Sequence, residues 1–235
     1  MVATPEARRQ PHYVVSVPQA DVRLREEIKE LVEQQAKLYE QEHGTLFRIH
    51  FDRHLYQPLL LDDPESPVTI SPPPLTQSER HFVNDLRDYW QDRGSTLHPD
   101  TELFLLRNQG RGRGVGFSLG GSGFYPDFIL WMIRGDSQRV VFVEPHGMLH
   151  AKAYEEDEKA RLHERLPGLA KGIAARSGVG GQVSLDSYIV SATAYHDLRQ
   201  HYGDGEWSRE KFARRHILFR DGGGEYIGRL LAGGG

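Results

Sequence analysis

The sequence contains no cysteine, which excludes disulfide bonds, thiolate nucleophiles and cysteine-based zinc sites. It also lacks an apolar run of the roughly 20 residues that a membrane-spanning helix needs. The N-terminal segment MVATPEARRQ has no apolar stretch typical of a secretory signal peptide. These absences lead us to expect a soluble, cytoplasmic protein with no membrane partner.

An excess of positive charge is missing as well. The 29 Lys and Arg residues face 33 Asp and Glu residues, so the formal net charge is −4. This excludes attraction of nucleic acid through overall charge but leaves room for a local basic strip. The glycines of residues 110–123 match neither a GxxxxGK loop nor a GxGxxG turn. No ATPase motif is recognisable, so any ATP-driven step would need another polypeptide or a region outside this sequence.

The length and composition suit one domain with an additional arm. The chain has 235 residues, of which 38% are hydrophobic, enough to bury a sizeable core. Residues 1–45 are predicted to form a lead-in and a charged helical arm, whose many Glu and Lys residues suit a solvated face or a docking surface for a larger protein. Residues 46–75 form a proline-rich extended connector, and residues 76–235 form the main domain.

Helical and extended patterns alternate in the main domain, which predicts an α/β fold with a mixed central sheet flanked by helices. A capping box at Thr76 and Glu79 opens the first helix. The predicted order is helix 77–92, strands 103–107, 124–133 and 139–145, helix 153–176 with a break at Pro167, and strand 184–191. Beyond it, Ser208 caps a short helix, HILF forms a short strand and EYIGRLL forms a helix.

The strands 124–133 and 139–145 read as a hairpin that brings acidic residues together. If the chain turns at Gly135 and Asp136, Asp127 lies directly opposite Glu144. A four-residue turn would instead place His146 opposite Asp127. In either register these three side chains are neighbours, because residues two apart in a strand share a face.

Two carboxylates among apolar residues repel each other and need compensation. A bound divalent cation or a shared proton would supply it. The alternative is that Asp127 and Glu144 face solvent at the strand ends, with Arg134 or Arg139 as salt-bridge partners. Spacing alone leaves both explanations open.

Pro126-Asp127 followed by Glu144-Pro145-His146 resembles the PD-(D/E)XK motif of a superfamily of metal-dependent nucleases. The predicted element order is similar to the αβββαβ core of that superfamily, the restriction-endonuclease-like fold. The phrases HLYQPL, LLRN, FYPDFILW and FVEPHG more closely resemble the C-terminal nuclease region of type III restriction-like proteins, which accompanies a DEAD/DEAH helicase. This resemblance covers roughly residues 45–230.

The resemblance implies a divalent-metal-dependent endonuclease that hydrolyses DNA, within a helicase-linked restriction or antiphage defence system. A helicase or ATPase partner would lie on another chain or region. The implied cofactor is Mg²⁺ or Mn²⁺, which would polarise the phosphodiester and activate the attacking water. The implied metal ligands are Asp127, Glu144, the main-chain carbonyl of Pro145 and Glu79. The alternative role of Glu79 is the capping box.

His146 departs from the motif, because it stands where the superfamily has lysine. Histidine could serve as a general base or as a metal ligand, or it could mark a decayed site. Lys152 and Lys159 are candidates for the missing ammonium. A metal-binding pair of His146 and His150 would need a helix, which Gly147 disfavours.

A glycine-rich segment before the second strand carries Arg107, Arg111 and Arg113 and no acidic residue. Arginine can bind phosphates in a bidentate manner, so these residues are predicted to contact nucleic acid. The alternative is a hairpin with solvated arginines. Two functions therefore stay open: a nuclease, and a catalytically inactive nuclease-fold subunit that binds DNA or scaffolds a larger complex. No residue distinguishes DNA from RNA as the substrate.

Overall fold

The chain forms two compact units, Met1–Gln77 and Ser78–Gly235. In the first, β1 (Val14–Ser16) pairs with β4 (Thr69–Ser71), and β2 (Arg48–Ile49) pairs with β3 (Leu59–Leu60), both antiparallel. The computed structural model describes residues 14–16, 22–23, 26, 48–49, 59–60, 69–71, 74–108, 114–119, 122–149, 153–177, 182–203, 205–220 and 224–233. Most of the predicted arm and most of the proline-rich connector lie outside these residues. Within them, no helix is long and apolar enough to cross a membrane.

The second unit is a mixed α/β structure built on a five-stranded sheet. Its strands and hairpins are β5 (Thr101–Arg107), β6 (Phe117–Leu119), β7 (Ser122–Phe124), β8 (Phe128–Arg134), β9 (Ser137–His146), β10 (Gln182–Ser191) and β11 (Ile217–Phe219). Its helices are α1 (Gln77–Tyr89), α2 (Leu162–Ser177), α3 (Tyr195–Tyr202), α4 (Arg209–Arg214) and α5 (Glu225–Ala232). A π-helical turn (Trp90–Gly94) and a short helical turn (Ser95–Leu97) follow α1, and a 3-10 turn (Tyr154–Glu156) precedes α2.

The sheet order is β11-β10-β9-β8-β5. Strand β8 runs antiparallel to both of its neighbours, β5 and β9, whereas β9, β10 and β11 are parallel to one another. The β6–β7 hairpin forms a separate two-stranded sheet between β5 and β8 in the chain. This arrangement confirms the predicted mixed central sheet flanked by helices.

Both faces of the sheet are covered, which explains the nearly continuous apolar run of β8. On one face, the ring of Phe82 in α1 packs against Phe128 with 5.3 Å between ring centroids. The next residue of β8, Ile129, points to the opposite face, where α2 and the β6–β7 hairpin pack. The buried cluster there consists of Leu119, Phe124, Ile129, Phe142, Leu162 and Leu166.

A two-residue turn joins β8 to β9. Gly135 adopts a φ of +55°, a conformation that glycine reaches without strain. Arg134 pairs with Ser137, and the same register continues to Phe128 and Val143. The shorter of the two predicted turns is therefore confirmed, and the four-residue turn is excluded.

The predicted break at Pro167 is wrong, because α2 continues through that residue. Proline removes one main-chain hydrogen bond from a helix and normally disfavours its continuation. Here Leu162, Leu166 and Ala170 are buried along α2. This burial offsets the local cost, so tertiary packing outweighs the local preference.

Two predicted boundaries also differ from the structure. The predicted strand 124–133 is divided, since β7 ends at Phe124 and β8 begins at Phe128. The predicted helix 153–176 begins later, at Leu162, after the 3-10 turn. Asp127 consequently lies outside both strands, at the point where the chain enters the sheet.

Candidate active site

Asp127 and Glu144 meet at one end of the central sheet. Glu144 lies in β9, and Asp127 directly precedes β8, the antiparallel neighbour of β9. The main-chain N–H of Asp127 donates to Oε2 of Glu144 at 3.1 Å. The hairpin register therefore brings together the two carboxylates that the sequence pattern singled out.

The environment of this pair disfavours negative charge. Burial, followed by repulsion from Glu144 and Glu79, raises the pKa of Asp127 to about 8. Burial likewise raises the pKa of Glu144, although nearby His146 and Lys159 oppose this shift. Two ionised carboxylates here would need additional positive charge. The surrounding protein therefore compensates the negative charge of the ionised pair only in part.

The two arginines considered as solvent-side partners of the pair do not fill that role. Arg139 donates to Asp186 at 2.8 Å and to the carbonyl oxygens of Leu230 and Leu231. Arg134 is exposed in the turn at the opposite end of β8. Glu144 is buried and Asp127 is partly buried, so neither carboxylate is a freely solvated strand end.

Lys159 supplies an ammonium beside the pair. Its Nζ lies 3.6 Å from Oε1 of Glu144 and 4.9 Å from the ring centroid of Phe124. Asp157 fixes the local backbone, because its Oδ1 accepts the N–H groups of Lys159 and Ala160. The segment between β9 and α2 thus brings a lysine into contact with Glu144. Lys152, the other predicted source of an ammonium, lies outside the described residues.

Glu79 and Arg107 form the opposite side of the site. Glu79 projects from the first turn of α1 and is only 5% exposed. Nη2 of Arg107, at the end of β5, lies 3.4 Å from Oε1 of Glu79. Arg107 also lowers the pKa of Asp127, partly opposing the effect of burial. Glu79 therefore has an internal cationic partner, and Arg107 belongs to the site itself. Arg111 and Arg113 lie outside the described residues.

His146 ends β9, two residues beyond Glu144. Its Nδ1 lies 2.6 Å from the carbonyl oxygen of Gly147, which can only accept, so Nδ1 carries a proton. Its Nε2 is buried without a hydrogen-bond partner in the part of the chain that the structure describes. In the neutral ring, Nε2 therefore carries the lone pair and acts as a hydrogen-bond acceptor. Gly147, Met148 and Leu149 are not helical, and His150 lies outside the described residues.

The oxygen atoms available here are those that hard divalent cations prefer. Magnesium is commonly held by one or two carboxylates, with water and substrate phosphates completing the shell. Asp127 and Glu144 match that requirement, and Pro145 is buried between Glu144 and His146 in β9. A cavity of about 10 Å³ borders Glu144 and Lys159, which is room for about one water molecule. Among the described residues, no set of three or more His, Asp or Glu side chains is arranged to hold a metal ion.

Comparisons of the chain with protein-family models, with curated proteins and with solved structures found no match. The chemistry of the site is therefore the basis for a function. The sequence pattern singled out Asp127, Glu144, Glu79 and His146, but it did not predict the pairing of Glu79 with Arg107. The signal available for that contact is that α1 and β5 carry residues of opposite charge.

Proposed function

We propose that this chain is a divalent-metal-dependent nuclease that hydrolyses DNA phosphodiester bonds. The observation that carries the proposal is the buried pair of Asp127 and Glu144, with raised pKa values and with Lys159 beside Glu144. A pair of carboxylates whose ionisation the surrounding protein disfavours suits a bound cation better than it suits a purely structural role.

The order of elements supports a restriction-endonuclease-like core within this proposal. Helix α1 is followed by β5, β8 and β9, then by α2 and β10, which matches the sequence α, β, β, β, α, β. The β6–β7 hairpin is an insertion between the first two strands. The candidate carboxylates lie at the second and third strands of this series, the places that the PD-(D/E)XK resemblance assigns to them.

The proposed roles follow from the donor set. Asp127 and Glu144 would hold Mg²⁺ or Mn²⁺, with the Pro145 carbonyl and Glu79 as further candidates. When bound, the cation supplies Lewis-acid polarisation of the phosphodiester. The Lys159 ammonium would stabilise the negative charge that develops on the phosphate oxygens. The Nε2 atom of His146 would accept a proton from the attacking water.

The decisive experiment is cleavage of plasmid and linear DNA in the presence of Mg²⁺ or Mn²⁺, with RNA as a parallel substrate. We expect Asp127→Asn and Glu144→Gln each to lower the cleavage rate by at least about 10³-fold, because each removes a charged oxygen ligand. Asp136→Asn, in the exposed turn, is the matched control and should cleave normally. Equal rates for wild type and Asp127→Asn would refute the assigned site.

The roles of Lys159 and His146 can be separated by substitution. We expect Lys159→Met to slow cleavage by about 10²-fold, because one charge-stabilising donor is lost. Lys159→Arg should retain more activity than Lys159→Met. We expect His146→Lys to slow cleavage if Nε2 accepts a proton, whereas faster cleavage would show that histidine replaced a better lysine.

One observation favours a second candidate, an inactive nuclease-fold subunit that binds DNA or scaffolds a complex. Both oxygens of Glu144 already have protein partners, the Lys159 ammonium and the Asp127 N–H. DNA binding without cleavage under any divalent cation would support this candidate. A helicase or ATPase partner and a role in restriction or antiphage defence rest on the sequence resemblance, and they belong to the proposal in either form.

A further inference from the structure

A second cavity, of about 290 Å³, lies beside the part of β10 that precedes its pairing with β11. Arg214 in the last turn of α4 and Arg229 in the last turn of α5 reach it from two different helices. His216, directly before β11, and Tyr188, in β10, form part of its wall. The remaining lining residues are Ala213, Leu218, Ala232 and Gly233. We call it the edge pocket.

The charge of the edge pocket is positive. The side chains of Arg214 and Arg229 are exposed and have no hydrogen-bonding or ion-pair partner in the described part of the chain. None of the described residues lining the pocket carries a carboxylate. The acidic residue next to it, Asp186, is already engaged by Arg139 and by His216, each at 2.8 Å. Two guanidinium groups therefore line this cavity without a direct ion pair among the described residues, although Glu210 and Glu225 stand one helical turn before Arg214 and Arg229.

The imidazole of His216 is held in a fixed position in the wall. Its backbone has a φ of +58°, a left-handed conformation that is uncommon outside glycine. Its ring is stacked between His163, with centroids 4.0 Å apart, and Tyr188, at 4.5 Å. Its Nδ1 contacts Oδ1 of Asp186 and the carbonyl oxygen of Ser187, so this atom carries the proton. Nε2 is the ring atom that these contacts leave unused.

The edge pocket and the candidate active site lie on opposite faces of the sheet. Tyr188 pairs with Val143, whereas Glu144 follows Val143 in β9 and therefore points to the other face. Tyr188 lines both the edge pocket and the small cavity that borders Glu144 and Lys159, so the two cavities share this residue of β10.

We propose that the edge pocket binds a phosphate group of a polynucleotide strand. Arginine presents a planar fork of donors that matches phosphate oxygens, and two such groups converge here from separate helices. The assignment of the ligand as a polynucleotide rests on the proposed function, whereas the preference for a phosphate group rests on the pocket alone. Arg214 and Arg229 would be binding residues that position the strand.

Arginines in the last turn of a helix also offset the negative end of the helix dipole, which is a purely structural role. The test must therefore include a quantity that such a role would not change. The salt dependence of binding is suitable, because its slope counts the phosphate contacts that release counterions.

The experiment measures binding of a short fluorescein-labelled DNA strand by anisotropy in EDTA, across a range of salt concentrations. We expect the double variant Arg214→Gln/Arg229→Gln to bind about tenfold more weakly, with a salt slope smaller by about 1 because one phosphate contact is lost. Arg214→Lys/Arg229→Lys should restore most of the slope. Arg176→Gln, an exposed arginine near the end of α2, is the matched control and should behave as wild type.

Thermal unfolding of every variant accompanies the binding measurement. If the double variant keeps its melting temperature and also keeps wild-type affinity and slope, the edge pocket does not bind phosphate. An equal loss in the Arg176→Gln control would likewise overturn the assignment, because the effect would then reflect overall charge.

Two further arms identify the source of the phosphate and separate this inference from the proposed function. If a 5′-mononucleotide binds as tightly as the labelled strand, and with the same dependence on Arg214 and Arg229, the polynucleotide assignment is wrong. Binding in EDTA does not require catalysis. A specific loss of binding in the double variant, together with no cleavage by wild type in Mg²⁺ or Mn²⁺, would support the pocket and reject the nuclease.

Discussion

Two sites in the same sheet place carboxylates among apolar strands and treat them in opposite ways. Asp186 in β10 accepts from Arg139, from Nδ1 of His216 and from the main chain of Ser187, each at 2.8 Å. Burial tends to raise the pKa of Asp186, but the hydrogen bonds from His216 and Arg139 outweigh it, so the pKa is lowered. The pKa of Asp127, by contrast, is raised to about 8.

Asp186 is thus a carboxylate that stabilises the folded chain, whereas the burial of Asp127 costs folding free energy. Asp186 ties β10 to the end of α5, because Arg139 also donates to the carbonyl oxygens of Leu230 and Leu231. Asp127 and Glu144 carry no equivalent compensation, and ionising both costs folding free energy. Residues that cluster at one site although they lower the stability of the fold are candidates for a functional role.

Among the substitutions that test the comparison, removal of the Asp186 carboxylate should change the free energy of unfolding most. We expect Asp186→Ala to lower the free energy of unfolding by about 3 kcal/mol, because Arg139 and His216 would keep their positions without a counterion. Chemical denaturation measures this change. Asp136→Ala, in the exposed turn between β8 and β9, should change it by less than about 0.5 kcal/mol. A loss as small as that of the control would mean that the Asp186 network is not structural.

The next effect is the pH dependence of stability in metal-free protein. Between the ordinary pKa of 3.8 and about 8, folded Asp127 keeps a proton that the unfolded chain has lost, so stability must fall as pH rises. We expect a loss of about 2 kcal/mol between pH 5 and pH 8. Asp186 has the opposite sign, because its lowered pKa contributes stability that disappears as pH falls below its ordinary pKa of 3.8. Denaturation midpoints from about pH 2 to about pH 8 measure both limbs. Constant stability from pH 5 to pH 8 would contradict the burial of an uncompensated pair.

A smaller effect, of opposite sign to that of Asp186→Ala, is expected for Asp127→Asn. Removing the ionisable group should raise the free energy of unfolding by about 1 kcal/mol at pH 8 and flatten the profile between pH 5 and pH 8. Parallel denaturation of wild type and variant at pH 5 and pH 8 measures the difference. Destabilisation at both pH values would show that Asp127 is compensated in the fold, as Asp186 is.

The smallest effect is the stabilisation of the folded chain by a divalent cation. At about threefold excess over its dissociation constant, Mg²⁺ or Mn²⁺ should stabilise wild type by about 0.8 kcal/mol through mass action. The gain should be absent in Asp127→Asn and intact in Asp186→Asn, if that variant folds. Thermal unfolding with and without the cation measures it. An equal gain in all three proteins would place the cation elsewhere on the chain.

Much of the fold could be predicted from local pattern. The apolar runs and the capping Ser208 correctly indicated α4, β8 and β9, and the observed hairpin register is one of the two that the sequence left open. Ser208 does cap its helix, accepting from the main-chain N–H of Lys211 at 3.1 Å. These features depend on residues close together in the chain, so local physical chemistry is sufficient to specify them.

The errors arose where distant residues decide. Pro167 was expected to break a helix, yet α2 continues through it with Leu162, Leu166 and Ala170 buried. The division between β7 and β8 follows from the separate pairing of β7 with β6. A local propensity gives no information about such contacts, because their partners come from other parts of the chain.

The candidate site was determined partly by sequence and partly by tertiary structure. The alternation of the hairpin placed Asp127 beside Glu144, because a two-residue turn and the strand period leave one register. The absence of cysteine and of excess positive charge limited the chemistry to oxygen and nitrogen ligands and to local basic surfaces. Only the packing of α1, β5 and the segment before α2 brought Glu79, Arg107 and Lys159 around the pair, because contacts between elements depend on how their buried faces fit together. The same packing raised the pKa of Asp127, since desolvation exists only once the surrounding chain excludes water.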